Sequence, residues 1–333
     1  MTRTSLRLAG ALAASALLLA ACGNDDGGSG DGTGSDGGDD ARTYSIGVTQ
    51  IAAHPSLDAS LVGFKAALED AGLDVEYDEE NAQGDQSTAI SIASGFASAG
   101  HDLVLAIATP TAQAAAQAIT DVPILITAVT EPEAAGLVDS WDAPGANLTG
   151  TSDLNPVAEQ LGLLAEIAPD AQTVGIVYSS GEVNSEVQVE LAQEAATELG
   201  LEIRTAAVTN SGEVQQAADS LDVDAFYVPT DNTVIQSFEA LLQVAESKSL
   251  PLVSADGDTV ERGAIATYGI DYEQLGYQTG EMAVRILQDG ADPAEMPIET
   301  LTDWPLVVNP AAAERMGVEL PAELVERADT VIE

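Results

Sequence analysis

Short, almost purely apolar runs recur along this chain. Each is followed by a stretch with apolar residues at three- and four-residue steps. The runs lie at 44–48, 103–108, 123–128, 173–178, 201–208, 225–228, 251–254 and 264–268. A strand wetted on one side alternates apolar with polar residues, whereas a strand covered on both faces need not, and apart from 201–208, with Glu202 and Arg204, these do not. The stretches at 57–71, 89–99, 112–119, 157–167, 187–199, 214–221, 234–245 and 275–287 read as helices, with Leu61, Phe64, Ala67 and Leu68 on one face of the first. Strand and helix in alternation predict a doubly wound α/β architecture with parallel sheets. The pattern of 44–128 recurs at 173–254, and the polar stretch 147–153 between them reads as a crossing linker. Two similar lobes joined by short crossings point to a hinged binding protein.

Ahead of the first run, Arg3 and Arg7 precede an apolar stretch, 8–21, that is too short to span a bilayer comfortably. Small residues close it, as before a signal-peptide cut, so 1–21 is expected to be a leader. Leu19-Ala20-Ala21-Cys22 resembles the bacterial lipobox, which implies lipidation of Cys22, the only cysteine of the chain. Without a partner Cys22 forms no internal disulfide. The Gly-, Ser- and Asp-rich segment that follows cannot bury a core, so 22–42 is expected to be a lipidated, self-repelling tether. An exported protein held on the outer face of the cytoplasmic membrane is the expectation.

Charge limits the partners. The sequence has 10 Lys and Arg against 55 Asp and Glu, a formal net charge of −45. Such a surface repels phosphate backbones, so nucleic acid is not an expected partner. Chemistry is limited as well. There is no glycine-rich nucleotide loop, no Gly-x-Ser-x-Gly elbow, no EF-hand spacing and only two histidines, His54 and His101. No catalytic residues, metal site or cofactor are expected, and an exported enzyme on this fold is the weak alternative, with His54 its first residue to mutate.

In open α/β sheets, ligands bind beyond the carboxyl ends of the strands, where helix N-termini present free N–H groups. Those positions hold Gln50, His54 and Ser56 after the first run, Thr109 after the run at 103–108, and Thr127 and Thr130 after the run at 123–128. In the second half they hold Ser180 and Asn184, Asp231, and Asp256. Ser, Thr and Asp before a helix serve equally as N-caps, and Ser56 reads that way. Asp231 and Asp256 suit an ammonium, and hydroxyls with helix N-terminal amides suit a carboxylate. Together they fit a zwitterion such as an amino acid. Gln50 and His54 read as neutral wall residues of a cleft. His101, at the opposite end of its strand, is expected at the surface.

The stretches GVTQIAAHPSLDAS, NAQGDQS, AIATPTAQAAA, ITAVTEPEAAGLV, VYSSGEVNSEVQVE, VPTDNTV and YGIDYEQLGYQTGEMAVRIL resemble, in order, the ABC-transporter substrate-binding lipoproteins of the tryptophan/tyrosine type. The resemblance runs from Tyr44 to the C-terminus. It implies the type I periplasmic-binding-protein fold, with two lobes and a three-crossing hinge: 43–148 plus 269–301 as the first lobe, 149–268 plus 302–333 as the second. It implies hinge closure on a small amino acid, aromatic in some members of the family, held by Gln50, His54, Thr109, Thr127, Thr130, Ser180, Asn184, Asp231 and Asp256. The implied partner is a membrane permease, and the implied state is a monomer. A sensory protein presenting a solute to a membrane receptor, or a sugar or nucleoside binder, are the alternatives. Trp141 and Trp304 lie away from the strand ends, which argues against a sugar.

Overall fold

A computed structural model describes residues 42–332. The expected leader, Cys22 and nearly all of the expected tether lie outside the described residues. In chain order the strands are β1 (Thr43–Gln50), β2 (Asp74–Asn81), β3 (Leu103–Ile107), β4 (Ile124–Thr127), β5 (Leu148–Ser152), β6 (Thr173–Ser179), β7 (Glu202–Val208), β8 (Ala225–Val228), β9 (Leu252–Ser254), β10 (Ala266–Tyr268), β11 (Glu299–Thr300), β12 (Leu306–Val308) and β13 (Thr330–Val331). The helices are α1 (Pro55–Asp70), α2 (Gln86–Ala99), α3 (Thr109–Ala118), α4 (Val157–Ile167), α5 (Val183–Leu199), α6 (Val214–Ser220), α7 (Asn232–Ile235), α8 (Phe238–Lys248), α9 (Gly257–Arg262), α10 (Tyr272–Leu287), α11 (Pro310–Arg315) and α12 (Ala322–Glu326). Among the described residues no helix is long and apolar enough to cross a membrane.

The strands form two sheets. One runs β11-β5-β4-β3-β1-β2 with every pair parallel. The other runs β13-β12-β10-β9-β8-β6-β7 and is parallel except where β10 meets β12. Every residue of β3, β4 and β8 is buried, which is why their sequences lack alternation. Separate cores lie against the two sheets. Leu105, Phe64 and Leu275 belong to the first lobe, and Phe226, Leu161 and Phe238 to the second.

The chain passes between the lobes three times. After β5 it enters α4, whose Leu161 and Leu164 join the second core. After β10 it enters α10, whose Leu275 and Met282 return to the first core. After β11 it enters β12, which pairs with β10 in the second sheet. Helices α1 and α10 lie against each other so closely that a Cβ on Gly276 would meet the Ser60 carbonyl, and one on Gly63 the Glu273 carbonyl.

Two expectations change, and one strand the sequence did not signal is present. The stretch 147–153, expected as a crossing linker at the start of the second lobe, instead supplies β5, a buried strand of the first sheet paired with β4. Its alternating threonines tolerate burial because Thr149 donates to the Met296 carbonyl at 2.8 Å and Thr151 to Thr127 Oγ1 at 3.1 Å. Strand β2, Asp-Val-Glu-Tyr-Asp-Glu-Glu-Asn, has almost no apolar content. It survives as an edge because β1 pairs with it along its whole length and its acidic side chains face water. His101 is buried, not exposed: its ring meets Phe96 edge-on, and its Nδ1 lies 2.9 Å from Ser45 Oγ.

Candidate functional site

The carboxyl ends of β1, β4, β8 and β9 converge, with the first two crossings, on a cavity between the lobes. Its free volume is about 10 Å3, the room of a single water. A wider groove of about 600 Å3 lies between α1 and α10, away from the strand ends. There the charged groups engage each other, Arg285 with Glu299 at 2.6 Å and Tyr277 with Asp70 at 3.2 Å. The interlobe cavity has the opposite character, because several of its buried polar atoms have no partner.

From the first lobe comes the opening turn of α1. His54 is its N-cap in an extended conformation, Pro55 takes the first helical position, and no side chain caps the first-turn amides. Ser56 therefore lies inside the helix and is not the cap expected from sequence. Ser56 Oγ and both nitrogens of His54 are buried without a hydrogen-bond partner among the described residues. Burial pushes the His54 pKa down to about 4, so the ring is neutral at pH 7; Asn232 beside it opposes the shift without a bond of ordinary geometry. Ala128, at the end of β4, has a left-handed backbone with φ of 54° and carries the chain toward Thr130.

From the second lobe come three strand-end groups. Asp231 is fully buried and caps α7: Val234 N–H donates to Oδ1 at 2.8 Å and Ser179 N–H to Oδ2 at 2.5 Å. Burial and the neighbouring Glu182 raise its pKa. Glu182 itself receives the backbone amides of Asn232 and Thr233 at 3.1 and 3.0 Å. Asp256 caps α9 with one oxygen, which accepts from Thr259 N–H at 2.9 Å, and among the described residues the other oxygen accepts no hydrogen bond. Its pKa is pushed up to about 6 by burial. Asn184 donates to the Thr230 carbonyl at 3.0 Å, and its Oδ1 is buried without a partner.

The crossings complete the wall. Asp153 is buried where the chain leaves β5, accepting from Thr130 Oγ1 at 2.9 Å and from Tyr272 Oη at 2.8 Å. Burial raises its pKa, against those two hydrogen bonds. Thr130 Oγ1 also lies 3.4 Å from Thr230 Oγ1, and Thr230 Oγ1 accepts from Gln188 Nε2 at 2.6 Å. A polar chain thus runs from α5 through both lobes to α10. Among the described residues, neither lysine nor arginine lines the cavity. The guanidinium of Arg262 is engaged by Glu239, Asp258 and the Ile235 carbonyl.

Of the residues expected at the site, the structure brings together His54, Thr130, Asn184, Asp231 and Asp256. Gln50 does not line the cavity. Its amide donates to the Ala52 carbonyl at 2.7 Å and to Asp58 at 2.8 Å, bracing the turn into α1. Thr127 accepts a hydrogen bond within the sheet, Thr109 is buried at the start of α3 outside the lining, and Ser180 is exposed on the turn after β6. Asp153 and Tyr272 were not expected. Recognising 148–152 as a strand would have placed Asp153 at a carboxyl end.

Residues 45–332 match the family model described as ABC transporter substrate binding protein. A tyrosine-binding protein of Clostridioides difficile is 39% identical over 311 residues, covering 92% of this chain and 89% of that one. Among solved structures, a Streptococcus pneumonia ABC domain in complex with L-Trp is 36% identical with a TM-score of 0.85, covering 87% of this chain and 100% of that one. A ligand-free, open substrate-binding protein with adhesive properties from Clostridium difficile is 44% identical with a TM-score of 0.66, covering 87% and 99%. Identity and shape order these two structures oppositely.

Proposed function

Because this chain belongs to the ABC transporter substrate-binding protein family, we propose that it serves an importer as an extracytoplasmic receptor and binds an aromatic amino acid between its lobes by hinge closure. The observation that carries this reading is the lining of the interlobe cavity. Ser56 and the uncapped first turn of α1 offer donors from one lobe, and Asp256 offers an unbonded carboxylate oxygen from the other. A zwitterion spanning them holds the lobes together, its carboxylate on α1 and its ammonium on Asp256. Of the hydroxyls and helix N-termini that suited a carboxylate in the sequence, this reading selects the α1 turn. The leucine, isoleucine and tyrosine of the wall, Leu57, Ile235 and Tyr272, supply contacts for an apolar side chain.

The relatives support the aromatic class, since one is tyrosine-binding and another holds L-Trp. Closure is supported by shape. A rotation of two rigid lobes lowers the TM-score to an open relative even where sequence identity is higher. The free volume of about 10 Å3 is too small for an amino acid, so entry requires the lobes to part. Anchorage through a lipid on Cys22, delivery to a permease and a monomeric state complete the proposal.

A thermal-shift panel tests it. Saturating L-tryptophan or L-tyrosine is expected to stabilise the protein by roughly 3 kcal/mol at a hundredfold excess over Kd. Stabilisation by a sugar or a nucleoside, with none by any amino acid, would overturn the ligand class.

A further inference from the structure

Resting on the proposed aromatic amino-acid site, we infer that the cleft demands the ligand's ammonium far more than its carboxylate, so that its ligand class extends to the corresponding aromatic monoamines. Three carboxylates, Asp153, Asp231 and Asp256, line the cavity, and no lysine or arginine does. Asp153 and Asp231 have each oxygen satisfied by a donor of the protein. Asp256 has one oxygen unbonded, and Asn184 Oδ1 in the same lobe is buried without a donor. These two acceptors lie in a wall of negative charge, which is the chemistry of an ammonium site.

The other pole is neutral. A ligand carboxylate there meets the Ser56 hydroxyl, the first-turn amides of α1 and the uncharged His54 ring. It gains those hydrogen bonds but enters a cavity already holding three carboxylates, with Arg262 engaged elsewhere. The two effects oppose each other, so deleting the carboxylate from the ligand costs little. Deleting the ammonium removes a charge-assisted bond and leaves an anion facing Asp256. Burial raises the pKa of all three aspartates, and the distant Arg262 opposes that shift only at Asp256.

Calorimetric titration of the purified protein with L-tyrosine, tyramine and desaminotyrosine reads this directly. Tyramine is expected within about tenfold of L-tyrosine, and desaminotyrosine roughly a hundredfold or more weaker. Asp256→Asn keeps an oxygen for the α9 cap and should weaken L-tyrosine and tyramine alike by about tenfold or more, whereas Ser56→Ala should weaken L-tyrosine only. Cooperative melting of both unliganded variants, at or above the parent's temperature for Asp256→Asn and within a few degrees of it for Ser56→Ala, confirms that they fold. Desaminotyrosine binding as tightly as tyramine, or tighter, would overturn the inference while leaving the amino-acid reading in place. Failure of L-tyrosine and L-tryptophan alike to bind would instead overturn the amino-acid reading on which it rests.

Discussion

Asp256 and His54 face the same cavity, yet burial moves them in opposite directions along the pH scale. The Asp256 carboxyl binds its proton more tightly in the fold, with a pKa near 6 against 3.8. Its effect on stability is therefore most favourable below pH 4 and is lost as pH rises through 6. His54 is held neutral, with a pKa near 4 against 6.5. Its contribution is complete above pH 6.5 and lost as pH falls toward 4. Between pH 4 and 6 the two slopes cancel. Asp256→Asn should thus leave the stability of the unliganded protein unchanged near pH 4 and raise it above pH 6, by up to about 3 kcal/mol. Urea unfolding at the two pH values checks this; an equal effect at both would contradict it. At this scale the sequence was partly legible. Strand-end position found Asp256 and His54, but side-chain direction is not written in position. Gln50 turned back to brace α1, and Thr127 was absorbed by the sheet.

Among the elements, α1 and α10 illustrate how a small residue sets a distance. Gly276→Ala puts a Cβ on the Ser60 carbonyl, a backbone atom with no rotamer to change, and the helices must part. A loss of about 1–3 kcal/mol is expected in urea unfolding. Gly95→Ala in α2, with open space around the new methyl, should instead stabilise by roughly 0.5–1 kcal/mol. Equal effects at the two sites would contradict the packing account. Elements were legible where burial on both faces left an apolar signature, as in β3 and β8. They were not legible where other interactions replaced it. Strand β2 is an acidic edge held by pairing and by Val75 and Tyr77 packed on the first core, and β5 hides its threonines by hydrogen-bonding them. That one misreading also concealed Asp153.

For the whole molecule, the three crossings join two lobes around a cavity whose polar lining comes from both sides. The sequence carries a formal net charge of −45, and charge of that sign shapes docking and salt response without shaping the fold. The proposed closure depends on what spans the gap. Thr130 and Thr230 already approach to 3.4 Å across it, and the α1 turn faces Asp256. A crystal structure of the protein grown with L-tryptophan or L-tyrosine tests this most directly. The account predicts density for the amino acid between the lobes, its carboxylate on the first turn of α1 and its ammonium on Asp256. Density in the groove between α1 and α10, or none within the cleft at saturating ligand, would contradict it.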